Sequence, residues 1–239
     1  MPTRDLDYRC DDVNLRGYLA WKDDAAGPRP GVLVFHEGVG LGEFAMERAR
    51  RLADLGYIAL AADMFGDRRQ ARNLQQVATL VGGLRAEPEK LRARGRSALV
   101  TLADQPDVDT SRLAAIGFCF GGSVALELAR DGTDLKAVVS FHGALATKMP
   151  AQPGRVKASV LVLTGAEDPL APPDQVTAFE NEMREGQVRD WQVISYGNTL
   201  HGFTNPAADG SMMRTALYSG QADRRSWASM KSLFDEVLT

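Results

Sequence analysis

The chain has 239 residues, 44% of them hydrophobic, which suits one α/β domain of ordinary size with a full core. Its formal net charge of −3 argues against nucleic acid or an anionic membrane as a partner. No apolar stretch is long enough to span a bilayer, and the N-terminus lacks a hydrophobic signal core. We therefore expect a single cytoplasmic domain over residues 1–239.

The first part of the chain predicts antiparallel strands that lead into a buried central strand. Residues 8–21 are typical of a hairpin, with Asn14 as the turn residue. Residues 23–30 form a polar segment with Gly and Pro, which predicts a loop. The apolar run over residues 31–35 is typical of a strand buried on both faces of a sheet.

From residue 31 onward, strands and helices alternate along the chain. The predicted helices cover residues 43–55, 74–81, 89–103, 123–130, 174–185 and 222–237. The predicted strands after the first cover residues 57–62, 113–116, 135–141, 158–164 and 190–196, and a turn is expected at 109–111. This alternation predicts an α/β fold, with helices on both faces of a mostly parallel sheet that begins with antiparallel strands.

The motif G-x-C-x-G runs from Gly117 to Gly121, with Cys119 at its centre. A strand before it and a helix after it make the strand–turn–helix pattern of a nucleophile elbow, with Cys in place of the usual Ser. The turn places the thiol at a helix N-terminus, where the helix dipole favours a thiolate. Without a secretory signal, Cys10 and Cys119 are expected to stay reduced. Taken alone, the motif also fits a buried structural cysteine.

Reactive side chains stand at the ends of four predicted strands. They are Glu37 after the strand over 31–35, Cys119 at the elbow, Asp168 after the strand over 158–164 and His201 after the strand over 190–196. Sites in open α/β sheets lie at the carboxyl ends of the strands, so we expect these side chains to converge. Their order along the chain, nucleophile then acid then histidine, is that of α/β-hydrolase triads.

Each member of this set has a chemical role. Cys119 would attack an acyl carbon and form a thioester, and His201 would take the thiol proton and then activate water. Asp168 would orient the imidazole. Glu167 and Asp174 compete for that place, but an Asp that precedes Pro at a strand exit has its backbone held extended.

The oxyanion of the reaction needs two backbone N–H groups. Phe120, directly after the nucleophile, and Gly38, in the glycine-rich loop after the strand over 31–35, are the expected donors. The place of Glu37 in that loop argues against a simple surface carboxylate. His36 is expected to shape the loop, and His142 is expected to be a satisfied core or loop histidine.

The chain resembles the dienelactone hydrolases (carboxymethylenebutenolidases) over nearly its whole length. The resemblance is carried by H-E-G-V-G from His36, G-Y-I-A from Gly56, G-F-C-F-G-G from Gly117, G-A-E-D-P from Gly165 and H-G-F from His201. It implies an α/β-hydrolase fold, a Cys119–Asp168–His201 triad, and neither a cofactor nor a metal. It also implies that Glu37 governs the resting state of the thiol, which becomes a thiolate when substrate disturbs their contact.

One position departs from the family pattern. Members that open dienelactones carry an arginine four residues after the triad histidine, and this chain has Asn205 there. A second family arginine could correspond to Arg72 or Arg85. The substrate-binding candidates are therefore Arg72, Arg85, Asn205 and Phe203, and the expected substrate is a small ester or lactone rather than the dienelactone itself.

The sequence leaves a rival to the hydrolase. An accessible, activated cysteine also suits an oxidant-responsive protein, so a thiol-based redox sensor or a non-catalytic binding protein on the same scaffold is the alternative. A sensor has no need of Asp168, which favours the enzyme. We predict a cysteine-dependent hydrolase with a small-molecule ester or lactone as its partner.

Overall fold

The computed structural model describes residues 1–23 and 27–239, and residues 24–26 of the predicted polar loop lie outside that description. The strands are β1 (Thr3–Cys10), β2 (Val13–Ala20), β3 (Arg29–Phe35), β4 (Ile58–Ala62), β5 (Val108–Phe118), β6 (Ala137–Phe141), β7 (Ser159–Gly165) and β8 (Trp191–Tyr196). The helices are α1 (Glu43–Asp54), α2 (Leu74–Ala86), α3 (Pro88–Ala103), α4 (Phe120–Asp131), α5 (Pro173–Glu185) and α6 (Gly220–Val237).

The eight strands form one sheet in the order β1-β2-β4-β3-β5-β6-β7-β8. The pairs β1–β2 and β2–β4 are antiparallel, and every pair from β4–β3 to β7–β8 is parallel. This confirms the predicted mostly parallel sheet with antiparallel strands at its N-terminal edge. Because the parallel strands point the same way, their carboxyl ends meet along one edge.

Helices cover both faces of the sheet, as predicted, and each face has its own apolar core. Successive side chains of a strand point to opposite faces, so Leu33 and Phe35 join one cluster while Val32 and Val34 join the other. Helices α3, α4 and α5 pack on the first face, and α1 and α6 on the second. Among the described residues, no helix has the length and apolar character needed to cross a membrane.

The hairpin turn lies three residues earlier than predicted. Asn14 is part of β2, and the turn is formed by Asp11 and Asp12. Asp11 has a φ of 51°, a left-handed conformation that Asp and Asn tolerate better than most residues. Asn and Asp are both common in such turns. Because Cys10 of β1 pairs with Val13 of β2, Asp11 and Asp12 form the turn rather than Asn14.

The turn predicted at residues 109–111 is an irregularity inside β5. The pairing of β5 with β3 shifts between Pro30 and Gly31. Asp109 accepts a hydrogen bond from the Ser111 N–H at 2.9 Å, which is the local turn that the sequence indicates. The prediction of a separate turn was wrong because a bulge within a strand carries the same residue types.

A buried ion network holds the elbow helix α4 between its neighbours. Arg92 of α3 donates to the Glu127 carboxylate at 2.7 Å, and Arg130 donates to its other oxygen at 3.1 Å. Arg130 also donates to Glu182 of α5 at 2.8 Å. All four residues are almost fully buried. The network contains two cations and two anions, so each buried charge has an opposite partner.

Removing Glu127 should therefore destabilise the fold strongly. The Glu127→Ala change leaves two buried guanidinium groups without their shared partner, and we expect a loss of about 3–5 kcal/mol in the free energy of unfolding. Urea unfolding measures it. Glu180→Ala is the matched control, because its pair with Arg184 is partly exposed at 3.2 Å, and it should change stability by less than about 0.5 kcal/mol. Equal losses in the two variants would contradict the role of the network.

Candidate active site

Cys119 joins β5 to α4 through a strained turn. Its φ of 54° and ψ of −116° lie in a region that L residues rarely adopt. A Cβ on Gly117 would overlap the carbonyl oxygen of Gly121, and a Cβ on Gly121 would overlap that of Phe35. The glycines of the motif are therefore required by the close approach of strand and helix, and the thiol stands at the tip of the turn.

His142 lies directly behind this turn. The Cys119 N–H donates to the Phe141 carbonyl at 2.9 Å and to Nδ1 of His142 at 3.1 Å. Burial and the nearby charge of His201 hold the pKa of His142 well below its usual range. A neutral ring that accepts at Nδ1 carries its proton on Nε2, which donates to the Thr204 hydroxyl at 2.8 Å. His142 is a satisfied buried histidine, and it also fixes the backbone of Cys119.

His201 and Asp168 form a buried pair at the same edge of the sheet. Nδ1 of His201 lies 2.8 Å from Oδ2 of Asp168, and the two residues are only 3% and 2% exposed. Oδ1 of Asp168 accepts from the Leu170 N–H at 2.8 Å, which fixes the carboxylate. The His201 ring also packs edge-on against His142, with 5.1 Å between the ring centroids. One imidazole nitrogen is thus held, and the other is free to act on the thiol.

The His201 imidazole binds its proton tightly. Burial disfavours the charged ring, but the negative charge of the Cys119 thiolate and the hydrogen bond to Asp168 outweigh it and raise the pKa of His201 to about 10. Cys119 and His201 line the same cavity. A negative charge on the Cys119 sulfur would therefore stabilise the imidazolium form of His201.

Glu37 lines the same cavity as the Cys119 thiol. Its Oε2 accepts a hydrogen bond from the Asn205 amide at 2.8 Å. Burial raises the pKa of Glu37 to about 7, against the opposing effects of Asn205 and the His201 charge. This carboxyl group therefore titrates close to neutral pH, unlike an ordinary surface glutamate.

Two backbone N–H groups beside the thiol are available for an oxyanion. Within residues 1–23 and 27–239, neither Phe120 nor Gly38 donates its N–H to another protein group, and both residues line the cavity at Cys119. His36 shapes the Gly38 loop, as the sequence indicates. Its Nδ1 donates to the Glu37 carbonyl at 2.6 Å, and its Nε2 accepts from the Met64 N–H at 3.2 Å.

A cavity of about 430 Å³ opens above Cys119. Helix α2 and residues 207–213 both contribute to its lining. Glu37, His201 and Asn205 line it together with the thiol. Among the described residues, no group of three or more His, Cys, Asp and Glu side chains is arranged to hold a metal ion. The cavity thus joins one reactive centre to a largely apolar space.

Only two of the four predicted substrate-binding residues line the cavity. Arg85 and Asn205 line the cavity. Arg85 reaches it because α2 continues to Ala86 rather than ending at residue 81. Arg72 is exposed and lies outside the lining. The prediction that Phe203 binds substrate was wrong. Its side chain is completely buried and packs against His142 instead of facing the cavity.

Sequence reasoning missed the contact of His142 and Thr204 with the site. A signal for His142 was present, since this residue directly follows β6 at the same edge as the other strand exits. Thr204 had no such signal. Its hydroxyl reaches His142 only because the loop after β8 folds back over the elbow.

The chain is similar in sequence and in fold to known proteins. A family model described as "Dienelactone hydrolase family" matches residues 15–238. A solved structure named m3DLH is 47% identical with a TM-score of 0.96, covering 100% of this chain and 99% of that chain. A dienelactone hydrolase-like promiscuous phosphotriesterase from metagenomic libraries is 44% identical with a TM-score of 0.95, at the same coverage. A Yersinia pestis protein named "Putative carboxymethylenebutenolidase" is 31% identical over 204 residues, which are 79% of this chain and 74% of that protein.

The Cys119→Ala change should lower the pKa of His201 from about 10, because the thiolate that stabilises the imidazolium is removed. An NMR titration of the imidazole resonances measures this pKa. Cys10→Ala is the matched control, since Cys10 lies outside the cavity lining. A His201 pKa that stays near 10 in Cys119→Ala would mean that the thiolate is not its charge partner.

The Asn205→Leu change should raise the pKa of Glu37 above about 7. The Asn205 amide donates to the ionised carboxylate, so its loss disfavours the charged form and moves deprotonation to higher pH. A ¹³C NMR titration of labelled glutamate side chains detects the shift. Asn181→Leu, on the exposed side of α5, should leave Glu37 unchanged, and an unchanged Glu37 in both variants would refute the coupling.

Proposed function

The chain belongs to the dienelactone hydrolase family, has the α/β-hydrolase fold and acts on carboxylic ester or lactone bonds, and from that premise we propose that Cys119 is its nucleophile. One observation carries the proposal: the buried His201–Asp168 pair at 2.8 Å lies at the cavity that Cys119 also lines. Residues 1–239 would act as one hydrolase domain. A small-molecule ester or lactone is the proposed substrate, and the family membership favours this activity over a non-catalytic thiol sensor.

In the first half of the reaction, the Cys119 thiolate attacks the acyl carbon of the substrate. The carbonyl oxygen becomes an oxyanion, which the N–H groups of Phe120 and Gly38 stabilise. The carbon–oxygen bond to the leaving alcohol then breaks, and the His201 imidazolium gives its proton to that oxygen. The acyl group remains on Cys119 as a thioester. Asp168 keeps the His201 ring oriented throughout.

In the second half, neutral His201 takes a proton from water while the water oxygen attacks the thioester. A second oxyanion forms at the same two N–H groups and collapses with release of the carboxylic acid. The electron pair of the carbon–sulfur bond returns to Cys119, which regenerates the thiolate beside the imidazolium. No group beyond the chain and water is needed for this balance.

Glu37 is the proposed regulator of the resting thiol. A carboxyl group with a pKa of about 7 exchanges protons readily at neutral pH, and Glu37 lines the same cavity as Cys119. In the proposal, Glu37 stabilises the protonated thiol in the empty site, and a bound substrate displaces that contact. Asn205 holds the carboxylate in place for this role.

A phosphotriester is a second candidate substrate for the same site. The observation that favours it is the 44% identity to the solved metagenomic protein that is named a phosphotriesterase. The thiolate would attack phosphorus and displace the leaving phenol, whose oxygen takes the His201 proton, while the phosphoryl oxygen binds where the acyl oxyanion binds. Water, deprotonated by His201, would then break the phosphorus–sulfur bond and return its electron pair to Cys119. Release of 4-nitrophenol from a 4-nitrophenyl dialkyl phosphate by wild type, and its loss in Cys119→Ala, tests this activity.

Turnover of 4-nitrophenyl acetate tests the proposed nucleophile and base. Cys119→Ala should abolish turnover, and His201→Ala should lower the rate by about 10²–10⁴, the contribution of a general base. Cys119→Ser should also lose most activity, because the same histidine activates a hydroxyl far less than a thiol at neutral pH. Cys10→Ala is the control and should keep the wild-type rate. Equal rates for wild type and Cys119→Ala would show that Cys119 is not the nucleophile.

A further inference from the structure

Helix α2 turns an apolar stripe toward the cavity, and of its four residues Val81 also packs against the core. Leu84 is its only buried residue among those described. Leu74, Val77, Ala78 and Val81, spaced along one face of the helix, line the cavity instead. A globular protein normally covers such a stripe with its own side chains. Here the stripe borders an open space next to the reactive thiol, which points to a ligand group as its cover.

Other segments add large apolar side chains to the cavity lining. Met212 is 47% exposed and Leu170 is 40% exposed, and both line the cavity. Leu74 on α2 also lines it at 48% exposure. Three separate segments thus contribute large, partly exposed apolar side chains to one cavity. Covering them with an apolar ligand group removes their surface from water, which favours binding.

The apolar lining of the cavity disfavours an anionic ligand. Arg85 contributes the one guanidinium among the described lining residues, and it already donates to the Ser123 hydroxyl at 3.1 Å. The Asn205 amide donates to Glu37. A substrate carboxylate that lies along the apolar wall, away from Arg85 and His201, would lose its hydration without an opposite charge beside it. An uncharged substrate avoids this cost.

The chemistry decides which part of the substrate meets α2. The leaving oxygen takes its proton from His201, so the alcohol must lie on the His201 side of the thiol. The oxyanion faces the N–H groups of Phe120 and Gly38, so the acyl substituent takes the remaining direction, away from His201 and from those two N–H groups. The α2 wall lies close to this point, because a Cβ on Gly38 would lie 3.0 Å from Val77 and 3.4 Å from Val81. The acyl group also stays in the cavity through both halves of the reaction.

We infer that the substrate is an uncharged ester with an extended apolar acyl group, which binds between the α2 stripe and Met212. This inference rests on the proposed function and narrows its substrate class. Val77 and its neighbours on α2 are the specificity-determining residues. Each methylene that the wall covers should raise kcat/KM by about threefold to fourfold, the effect of burying one CH₂ group.

Two substrate comparisons test the inference in the wild-type enzyme. The first is the series 4-nitrophenyl acetate, butanoate and hexanoate, which share one leaving group. The second pairs the hexanoate with the 4-nitrophenyl monoester of adipic acid, which has the same chain length but ends in a carboxylate. We expect kcat/KM to rise along the series and to be at least about tenfold higher for hexanoate than for the adipate ester. A flat series, or an adipate ester turned over as well as hexanoate, overturns the inference.

A matched pair of variants assigns the effect to α2. Val77→Ser should reduce the hexanoate-to-acetate ratio of kcat/KM by about threefold or more, because the wall becomes polar where the chain lies. Val100→Ser makes the same change on α3 at a residue that is 59% exposed and outside the cavity lining, and it should keep the wild-type ratio. An unchanged ratio in Val77→Ser overturns the role of α2.

Failure of the substrate inference can be told apart from failure of the mechanism. If wild type hydrolyses the acetate ester, Cys119→Ala does not, and chain length has no effect, only the substrate inference fails. If Cys119→Ala hydrolyses every ester as fast as wild type, the proposed nucleophile fails and the inference falls with it.

Discussion

The backbone of Cys119 is the constraint on which the rest of the site depends. A φ of 54° at a non-glycine residue is tolerated only where the surroundings hold it in place. Gly117 and Gly121 provide the space, and Phe141 and His142 together accept the Cys119 N–H. The same turn points the thiol into the cavity and starts α4 at Phe120, whose N–H is left without a partner inside the helix. One local geometry therefore positions both the Cys119 thiol and the Phe120 N–H, the proposed nucleophile and oxyanion donor.

Buried hydrogen bonds connect this turn to α1 and α6 on the second face of the sheet. Arg48 of α1 is almost fully buried, and it donates to the Thr204 carbonyl at 2.6 Å and to Asp223 of α6 at 3.2 Å. The Thr204 hydroxyl binds His142, which in turn holds Cys119. The loop after β8, which carries His201 and Asn205 and forms a cavity wall, is thus anchored to the two helices of the second face.

The three histidines of the chain have different protonation because their partners differ. His36 is buried, and burial lowers its pKa, so its neutral ring bridges the Glu37 carbonyl and the Met64 N–H. His142 is neutral for the same reason and because His201 is charged. The pKa of His201 alone is raised, to about 10, because the charge on Cys119 and the hydrogen bond to Asp168 outweigh its burial. The positive charge is thereby confined to one ring, while the other two rings hydrogen-bond to the backbone around it.

The sequence by itself determined the alternation of strands and helices, the elbow, and the strand exits that carry Glu37, Cys119, Asp168 and His201. Apolar runs, glycine spacing and chain order are local patterns, and parallel strands bring their ends to one edge by necessity. Only the tertiary structure decided that His142 holds the backbone of Cys119, that Phe203 is buried, and that Arg85 rather than Arg72 reaches the cavity. These outcomes depend on how far α2 extends, on which way its stripe turns, and on where the loop after β8 returns. The periodicity of apolar residues along a chain does not reveal the distances between segments that are remote in sequence.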